Sequence, residues 1–159
     1  MISVRETACG TLQAALSHEP SVVGVAFSPL DENLFVSISS HTMTVWDLRP
    51  IGTMARAIRT VSGFPEGCSC VEFSPDGKML AVGGSNDNIT VWETDTWNRI
   101  ATVAGKLGEI HSLRFSPDAK LIASGDIGGK LQVREIPSNP NALVGQSTYA
   151  RGWASTRIF

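Results

Sequence analysis

The 159 residues have the length of one ordinary domain, and 13 basic against 15 acidic residues leave a net charge of −2. This balance argues against a general nucleic-acid binder, which carries a strongly basic surface. With 42% hydrophobic and 18% charged residues, the chain is too apolar to be a disordered tail.

The tripeptide Phe-Ser-Pro occurs three times along the chain and defines a repeat. Its phenylalanines are Phe27, Phe73 and Phe115, which lie 46 and 42 residues apart. Nineteen residues after each phenylalanine comes Trp46, Trp92 or Arg134, with no insertion that shifts this register. Each copy of a repeat of this length is expected to fold as one supersecondary unit that packs on its neighbours.

Each repeat is predicted to contain four short antiparallel strands. Residues 25–27 alternate and end before Pro29, which cannot donate a ladder hydrogen bond. Residues 74–77 and 116–119 have the composition of tight turns, and apolar runs follow them. Seven residues after each phenylalanine lies an aliphatic residue, and we expect these three to be equivalent: Leu34, Leu80 and Ile122.

Four strands and a Trp-Asp ending in a unit of 42 to 46 residues resemble the WD40-repeat family, whose repeats are the blades of a β-propeller. The resemblance covers roughly residues 2–136. It rests on the signature positions Phe27, Trp46, Asp47, Phe73, Trp92 and Phe115. It implies an all-β fold of four-stranded antiparallel blades, in a ring that is incomplete or open unless another chain completes it.

The repeat predicts about three and a half blades. Residues 1–18 are assigned to the second half of a preceding blade, and residues 19–63, 64–105 and 106–145 to three repeats. Residues 146–159 are either a divergent tail or the start of a further repeat. Because propellers have about 4 to 8 blades, the chain is interpreted as a fragment of a larger ring. The alternatives are self-association or another partner at its open blade faces, and an open arc.

The family also carries a polar network of His, Ser or Thr, Asp and Trp in each blade, and every copy is interrupted in this sequence. Ser40 replaces the Asp of the first repeat, Phe64 stands at the His site of the second, and Arg134 replaces the Trp of the third. We interpret this as plain divergence with lowered stability. The alternative is that Lys106, Arg134 and Arg5 have been recruited for binding.

The resemblance also suggests partner contacts. The loops that join blades face the family's usual binding side and contain Glu19, Phe64, Lys106 and Glu109. Phe64 is either such a contact or a filler of the space left by the missing His. Trp97, in a loop between two strands of one repeat, is either exposed to a partner or folded back on its own blade.

Residues 46–49, Trp-Asp-Leu-Arg, resemble the WDXR element of substrate receptors for cullin-4 ubiquitin ligases. In those receptors the arginine contacts the ligase adaptor, and Arg49 would be that residue. The longer pattern has an acidic residue where this chain has Ser40, so the match is partial.

No motif for catalysis, a cofactor or a metal is present. Cys68 and Cys70 form a single Cys-x-Cys pair, whereas a zinc site needs about four ligands, so we interpret them as buried thiols rather than a regulatory pair. Cys9 makes the cysteine number odd, which does not suggest a disulfide framework. The resemblance assigns Trp46 and Trp92 to the core. Asp31 and Glu32 are expected to lie in a solvated turn.

We therefore expect a non-catalytic interaction scaffold or adaptor that binds other proteins or peptides. The alternatives are a substrate receptor of a cullin-4-type ubiquitin ligase and a sensor segment of a larger signalling ATPase. No apolar run approaches the roughly 20 residues of a membrane span, and the first residues lack the pattern of a signal peptide. An intracellular location, cytoplasmic or nuclear, is expected, without binding to nucleic acid or membranes.

Overall fold

The computed structural model describes residues 2–5, 12–16, 21–49, 56–62, 64, 67–85, 88–104 and 108–137. Within these ranges all regular structure is β-strand. The strands are β1 (Ile2–Arg5), β2 (Leu12–Leu16), β3 (Val22–Phe27), β4 (Leu34–Ser39), β5 (Thr42–Asp47), β6 (Arg56–Ser62), β7 (Cys68–Phe73), β8 (Met79–Gly84), β9 (Asn88–Glu93), β10 (Arg99–Ala104), β11 (Ile110–Phe115), β12 (Leu121–Asp126) and β13 (Leu131–Glu135). The described residues contain no helix that could cross a membrane.

These strands form four separate antiparallel sheets in which neighbours in sequence are neighbours in space. Strands β3–β6 form blade 1, β7–β10 form blade 2, β11–β13 form the three-stranded blade 3, and β1–β2 form a half blade. None of the sheets closes into a barrel. The all-β fold of WD40-type blades that the repeat predicted is confirmed.

The pairing register corrects one predicted equivalence. Phe73 lies opposite Leu80 and Phe115 opposite Ile122, but Phe27 lies opposite Phe35 rather than Leu34. Blade 1 therefore has one extra residue between β3 and β4. The turn between β4 and β5 is one residue shorter than its equivalent in blade 2 and so compensates for the extra residue. Four residues lie between the paired Ile38 and Met43 of blade 1, whereas five lie between the paired Gly83 and Ile89 of blade 2. The constant spacing of nineteen residues conceals both changes.

A serine and an aspartate shape the turn after the first strand of blades 2 and 3. The Ser74 hydroxyl donates to Asp76 Oδ1 at 2.6 Å and accepts from the Met79 N–H at 2.9 Å. Ser116 and Asp118 make the same 2.6 Å bond. These hydroxyls are the main reason that the pKa of each aspartate is lowered. The carboxylates therefore stay ionised at neutral pH and hold the turn in shape.

The hydrophobic core lies between the blades rather than within any one of them. Blade 1 contributes the alternating side chains of β4 and β5, and blade 2 contributes the facing side chains of β7 and β8. The buried members of this first cluster are Val36, Ile38, Met43, Val45, Cys68, Phe73, Leu80, Val82 and Trp97. A second cluster joins blades 2 and 3 in the same way and includes Ala81, Ile89, Val91, Ile110, Leu113, Phe115 and Ile122. Each blade is thus stabilised by its neighbours, as expected of a repeat fold.

The half blade covers only part of blade 1. Ile2 and Val4 of β1 pack against Phe35 and Trp46, which are 1% and 7% exposed. Phe35 and Trp46 stack with ring centroids 6.1 Å apart. This third cluster places Trp46 in the core, as the sequence predicted.

Candidate functional site

The antiparallel strands place the loops of each blade on two opposite edges. One edge carries the segments that join consecutive blades, and we call it the blade-joining edge. The other carries the turns after each Phe-Ser-Pro, and we call it the Ser-Pro edge. Phe64 and Glu109 lie on the blade-joining edge, whereas Arg49 and Trp97 lie on the Ser-Pro edge. The predicted contacts therefore do not form one site, and Glu19 and Lys106 lie outside the described residues.

Phe64 is half-buried and packs on the core between blades 1 and 2. Its ring centroid lies 5.9 Å from that of Trp92. The Phe64 carbonyl accepts a hydrogen bond from the Gly67 N–H at 3.1 Å, which shapes the loop before β7. These contacts support the interpretation that Phe64 fills space beside the blade tryptophan. A role as a partner contact stays a prediction.

Glu109 leaves its carboxylate available on the blade-joining edge. Its Oε1 lies 3.7 Å from Nε2 of His111, and both side chains are about half exposed, at 44% and 53%. The neighbouring Asp126 is instead used within the loop, because it accepts from the N–H groups of Lys130 at 2.6 Å and Gly108 at 3.2 Å. These bonds lower the pKa of Asp126. The half-exposed carboxylate of Glu109 stays a predicted partner contact.

Arg49 is the centre of a charged cluster on the Ser-Pro edge. Its side chain is 58% exposed, and its guanidinium pairs with Asp31 and, through Nε at 3.1 Å, with Asp47. The Arg49 N–H also donates to Asp47 Oδ1 at 2.9 Å. Sequence reasoning assigned Asp31 to a solvated turn and missed this pairing. The sequence signal for this pairing was the acidic Asp31 in the turn between β3 and β4. The pairing of those strands brings this turn to the Ser-Pro edge, where Arg49 lies.

Of the two alternatives for Trp97, the structure agrees with the one in which the side chain folds back on its own blade. The side chain is 8% exposed and meets Phe73 edge to face, with ring centroids 6.5 Å apart. The backbone adopts a left-handed conformation at Trp97, with φ of 55°, and its N–H donates to the Glu93 carbonyl at 2.8 Å. This tight turn folds the indole back onto its own blade, where little of its surface is exposed to a partner.

The polar network is altered differently in each blade. In blade 1 the indole Nε1 of Trp46 donates to the Ser37 hydroxyl at 2.8 Å. In blade 2 the Trp92 indole donates to Thr90 at 3.2 Å instead. Blade 3 keeps the serine, as Ser124, but its buried hydroxyl has no hydrogen-bond partner among the described residues. The interrupted network thus keeps one good bond in blade 1 and leaves a buried hydroxyl unpaired in blade 3.

Arg134, which replaces the tryptophan of blade 3, is buried at 4% exposure. Its guanidinium donates to the Gln132 side chain and to the Val103 carbonyl of blade 2, the latter at 3.3 Å. The alternative that Arg134 was recruited for surface binding is therefore wrong. The side chains of Arg5 and Lys106, named with it, lie outside the described residues.

Two serines at the same position of different blades provide a matched test of this network. Ser37 pairs opposite Thr44, two residues before Trp46, and Ser124 pairs opposite Gln132, two residues before Arg134. Both serines are buried, at 0% and 1% exposure. We expect Ser37→Ala to cost about 1–2 kcal/mol because it removes a bond to Trp46. Ser124→Ala should change stability by less than about 0.5 kcal/mol or increase it, since that hydroxyl is buried without a partner.

Urea unfolding of the two alanine variants, followed by circular dichroism, measures the difference. The circular dichroism spectra before unfolding serve as the control that both variants fold like the wild type. Equal losses in the two variants would show that the bond from Trp46 contributes nothing to stability.

Cys68 and Cys70 are free thiols in the core rather than a reactive pair. Burial raises the pKa of Cys68 to about 12 and that of Cys70 to about 11. Both thiols are therefore protonated at neutral pH and poor nucleophiles. In the part of the chain that the structure describes, no group of three or more His, Cys, Asp or Glu side chains could hold a metal ion. Cys9 lies outside that part.

The comparisons with known proteins agree with this architecture. The family model of the WD domain, G-beta repeat, matches residues 55–93 and 97–134. Pre-mRNA-processing factor 19 of Mus musculus is 29% identical over 113 residues, which are 70% of this chain and 21% of that protein. WD repeat and SOCS box-containing protein 1 of Xenopus tropicalis is 31% identical over 83 residues, or 52% of this chain and 19% of that protein.

A third relative is the protein groucho of Drosophila melanogaster, 31% identical over 77 residues, which are 48% of this chain and 10% of that protein. The chain thus spans about a fifth or less of the length of these relatives. The repeat signature, the blade-like sheets and these matches lead to one conclusion. Residues 55–93 and 97–134 of the chain are repeats of the WD40 family.

Proposed function

We propose that the chain is a non-catalytic protein–protein interaction scaffold or adaptor and works as part of a larger propeller. Proteins of this family serve mainly as interaction modules, and the chain spans only a fifth of the first relatives it matches. Packed blades provide a rigid frame on which edge loops can present side chains to a partner. An intracellular location, cytoplasmic or nuclear, belongs to this proposal.

The observation that carries the proposal is the charged cluster of Arg49, Asp31 and Asp47 on the Ser-Pro edge. The guanidinium is more than half exposed, yet two carboxylates hold it in one orientation. Exposed ion pairs of this kind contribute at most about 1 kcal/mol to stability, so stability alone is a weak reason for such a cluster. A preoriented arginine is also among the residues most enriched at the energetic centres of protein interfaces.

The test compares proteins captured by the tagged chain with those captured by Arg49→Ala and by Lys120→Ala. Both side chains are exposed on the Ser-Pro edge, so Lys120→Ala controls for a general change of surface charge. We expect Arg49→Ala to lose specific partners at least tenfold, with an unchanged melting curve, while Lys120→Ala retains them. Identical sets of partners for all three proteins would contradict the use of this cluster.

The same residue supports a second candidate, a substrate receptor of a cullin-4-type ubiquitin ligase. Arg49 lies two residues after the Asp47 that it contacts, and it is exposed as this role requires. Purified ligase adaptor should bind the wild type and not Arg49→Ala; equal recovery of both would dismiss this candidate. A further alternative is a sensor segment of a larger signalling ATPase.

A further inference from the structure

At two points of the chain an arginine stands three residues before a hydroxyl residue. Arg59 precedes Ser62 on β6, and Arg99 precedes Thr102 on β10. Many Ser/Thr protein kinases select an arginine at this spacing, because carboxylates beside their active site bind its guanidinium. Strands β6 and β10 are the outer strands of neighbouring blades. The spacing alone offers two equal candidates for phosphorylation, and the structure distinguishes between them.

Thr102 lies in the middle of a well-packed strand. Its neighbours Ala101 and Val103 are 6% and 3% exposed, and both belong to the core cluster between blades 2 and 3. Thr102 itself is half-buried and pairs opposite Thr90 of β9. A kinase binds its substrate as an extended segment in a cleft, so this segment would first have to leave the blade. The burial of Ala101 and Val103 opposes that opening.

Strand β6 is packed much less tightly than β10. Six of its seven residues are exposed, and the remaining one, Val61, is half-buried. The pairing register shows the cause, because Arg59 lies at the position that the buried Ala101 occupies in blade 2. Since few apolar side chains anchor β6, we expect it to open from blade 1 at a lower cost than β10 opens from blade 2.

Arg59 and Ser62 are both accessible on this strand. Ser62 is exposed and is the last residue of β6, at the blade-joining edge. Arg59 is also exposed, and its Nη1 donates to the Thr96 carbonyl at 3.5 Å, the long end of the hydrogen-bond range. A bond of this length holds the guanidinium weakly. Carboxylates of a kinase can therefore replace it with shorter, charge-assisted hydrogen bonds.

We propose that Ser62 is a phosphorylation site for a protein kinase that recognises Arg59, and that Thr102 is not a site in the folded chain. The kinase transfers the γ-phosphoryl group of ATP to the Ser62 hydroxyl oxygen. A bond forms between that oxygen and the γ-phosphorus, the bond from the γ-phosphorus to the bridging oxygen breaks, and ADP leaves. The hydroxyl proton passes to a base of the kinase. The phosphate adds a charge of about −1.5 to −2 to the blade-joining edge. The proposal does not depend on the Arg49 cluster, so either can fail without the other.

The probe is a purified calmodulin-dependent protein kinase, of the class that selects arginine three residues before the acceptor, with Mg²⁺ and ATP. It is incubated with the full chain and, separately, with isolated peptides of residues 56–66 and 96–106. Mass spectrometry locates each phosphate and measures the initial rate of its incorporation. The variants are Arg59→Ala and its matched control Arg99→Ala. Circular dichroism spectra and melting curves confirm that both variants fold like the wild type.

Both peptides should be phosphorylated, because each contains the arginine spacing and neither is held in a blade. In the full chain we expect Ser62 to be phosphorylated at least tenfold faster than Thr102. Arg59→Ala should slow the reaction at Ser62 at least tenfold, whereas Arg99→Ala should leave it unchanged. A full chain in which Thr102 reacts as fast as Ser62 overturns the proposal. So does a rate at Ser62 that Arg59→Ala does not lower, or a full chain without phosphate on Ser62.

Discussion

Trp97→Ala is expected to lower the free energy of unfolding by about 3–5 kcal/mol, the usual cost of emptying the site of a buried tryptophan. The indole is 8% exposed, lies in the core cluster between blades 1 and 2, and meets Phe73 edge to face. Its removal leaves a cavity beside Phe73 and takes away an aromatic contact. The shift in the midpoint of urea unfolding, followed by circular dichroism, measures the loss.

Trp97→Phe is the control for this prediction, because phenylalanine keeps an aromatic ring against Phe73 and should recover part of the lost stability. A binding measurement on Trp97→Ala separates the two interpretations of Trp97, a buried core residue and an exposed partner contact. An alanine variant as stable as the wild type, but unable to bind a partner, would return Trp97 to the role of an exposed contact.

Ile38→Ala should cost about 2–5 kcal/mol, because Ile38 is 0% exposed and joins blade 1 to blade 2. The matched control is Ile58→Ala, in the same blade, at a side chain that is 44% exposed. A surface change of that kind usually alters stability by less than about 0.5 kcal/mol. Thermal unfolding of both variants, read by circular dichroism, gives the comparison.

A loss for Ile38→Ala no larger than that of the control would mean that blades 1 and 2 do not pack in solution. The expected difference follows from the position of the core. Because the buried clusters lie between sheets, a change on one blade also weakens its neighbour.

The Ser-Pro edge and the blade-joining edge expose different side chains to a partner. On the Ser-Pro edge, Arg49 is exposed and preoriented by two carboxylates. On the blade-joining edge, Glu109 offers a carboxylate while Phe64 is engaged with Trp92. A partner that contacts Arg49 therefore approaches from the side opposite to Glu109, and single substitutions on each edge will show which side is used.

The sequence by itself determined the repeat and therefore the architecture. Phe27, Phe73 and Phe115 mark the first strand of each blade, and alternation with turn residues predicts the remaining strands from local information alone. These features depend on side-chain periodicity and turn chemistry along short stretches, which a single sequence displays.

Tertiary structure alone decided the features that depend on contacts between distant segments. The left-handed turn at Trp97 brings its ring onto Phe73, and the pairing of β3 with β4 brings Asp31 to Arg49. The sequence does not show that Phe27 pairs with Phe35 rather than with Leu34. The longer loop between β3 and β4 and the shorter turn between β4 and β5 leave the repeat spacing unchanged. The sequence likewise does not show that Phe27 is 51% exposed whereas its repeat equivalents Phe73 and Phe115 are 6% and 8% exposed, since burial depends on packing between sheets rather than on composition.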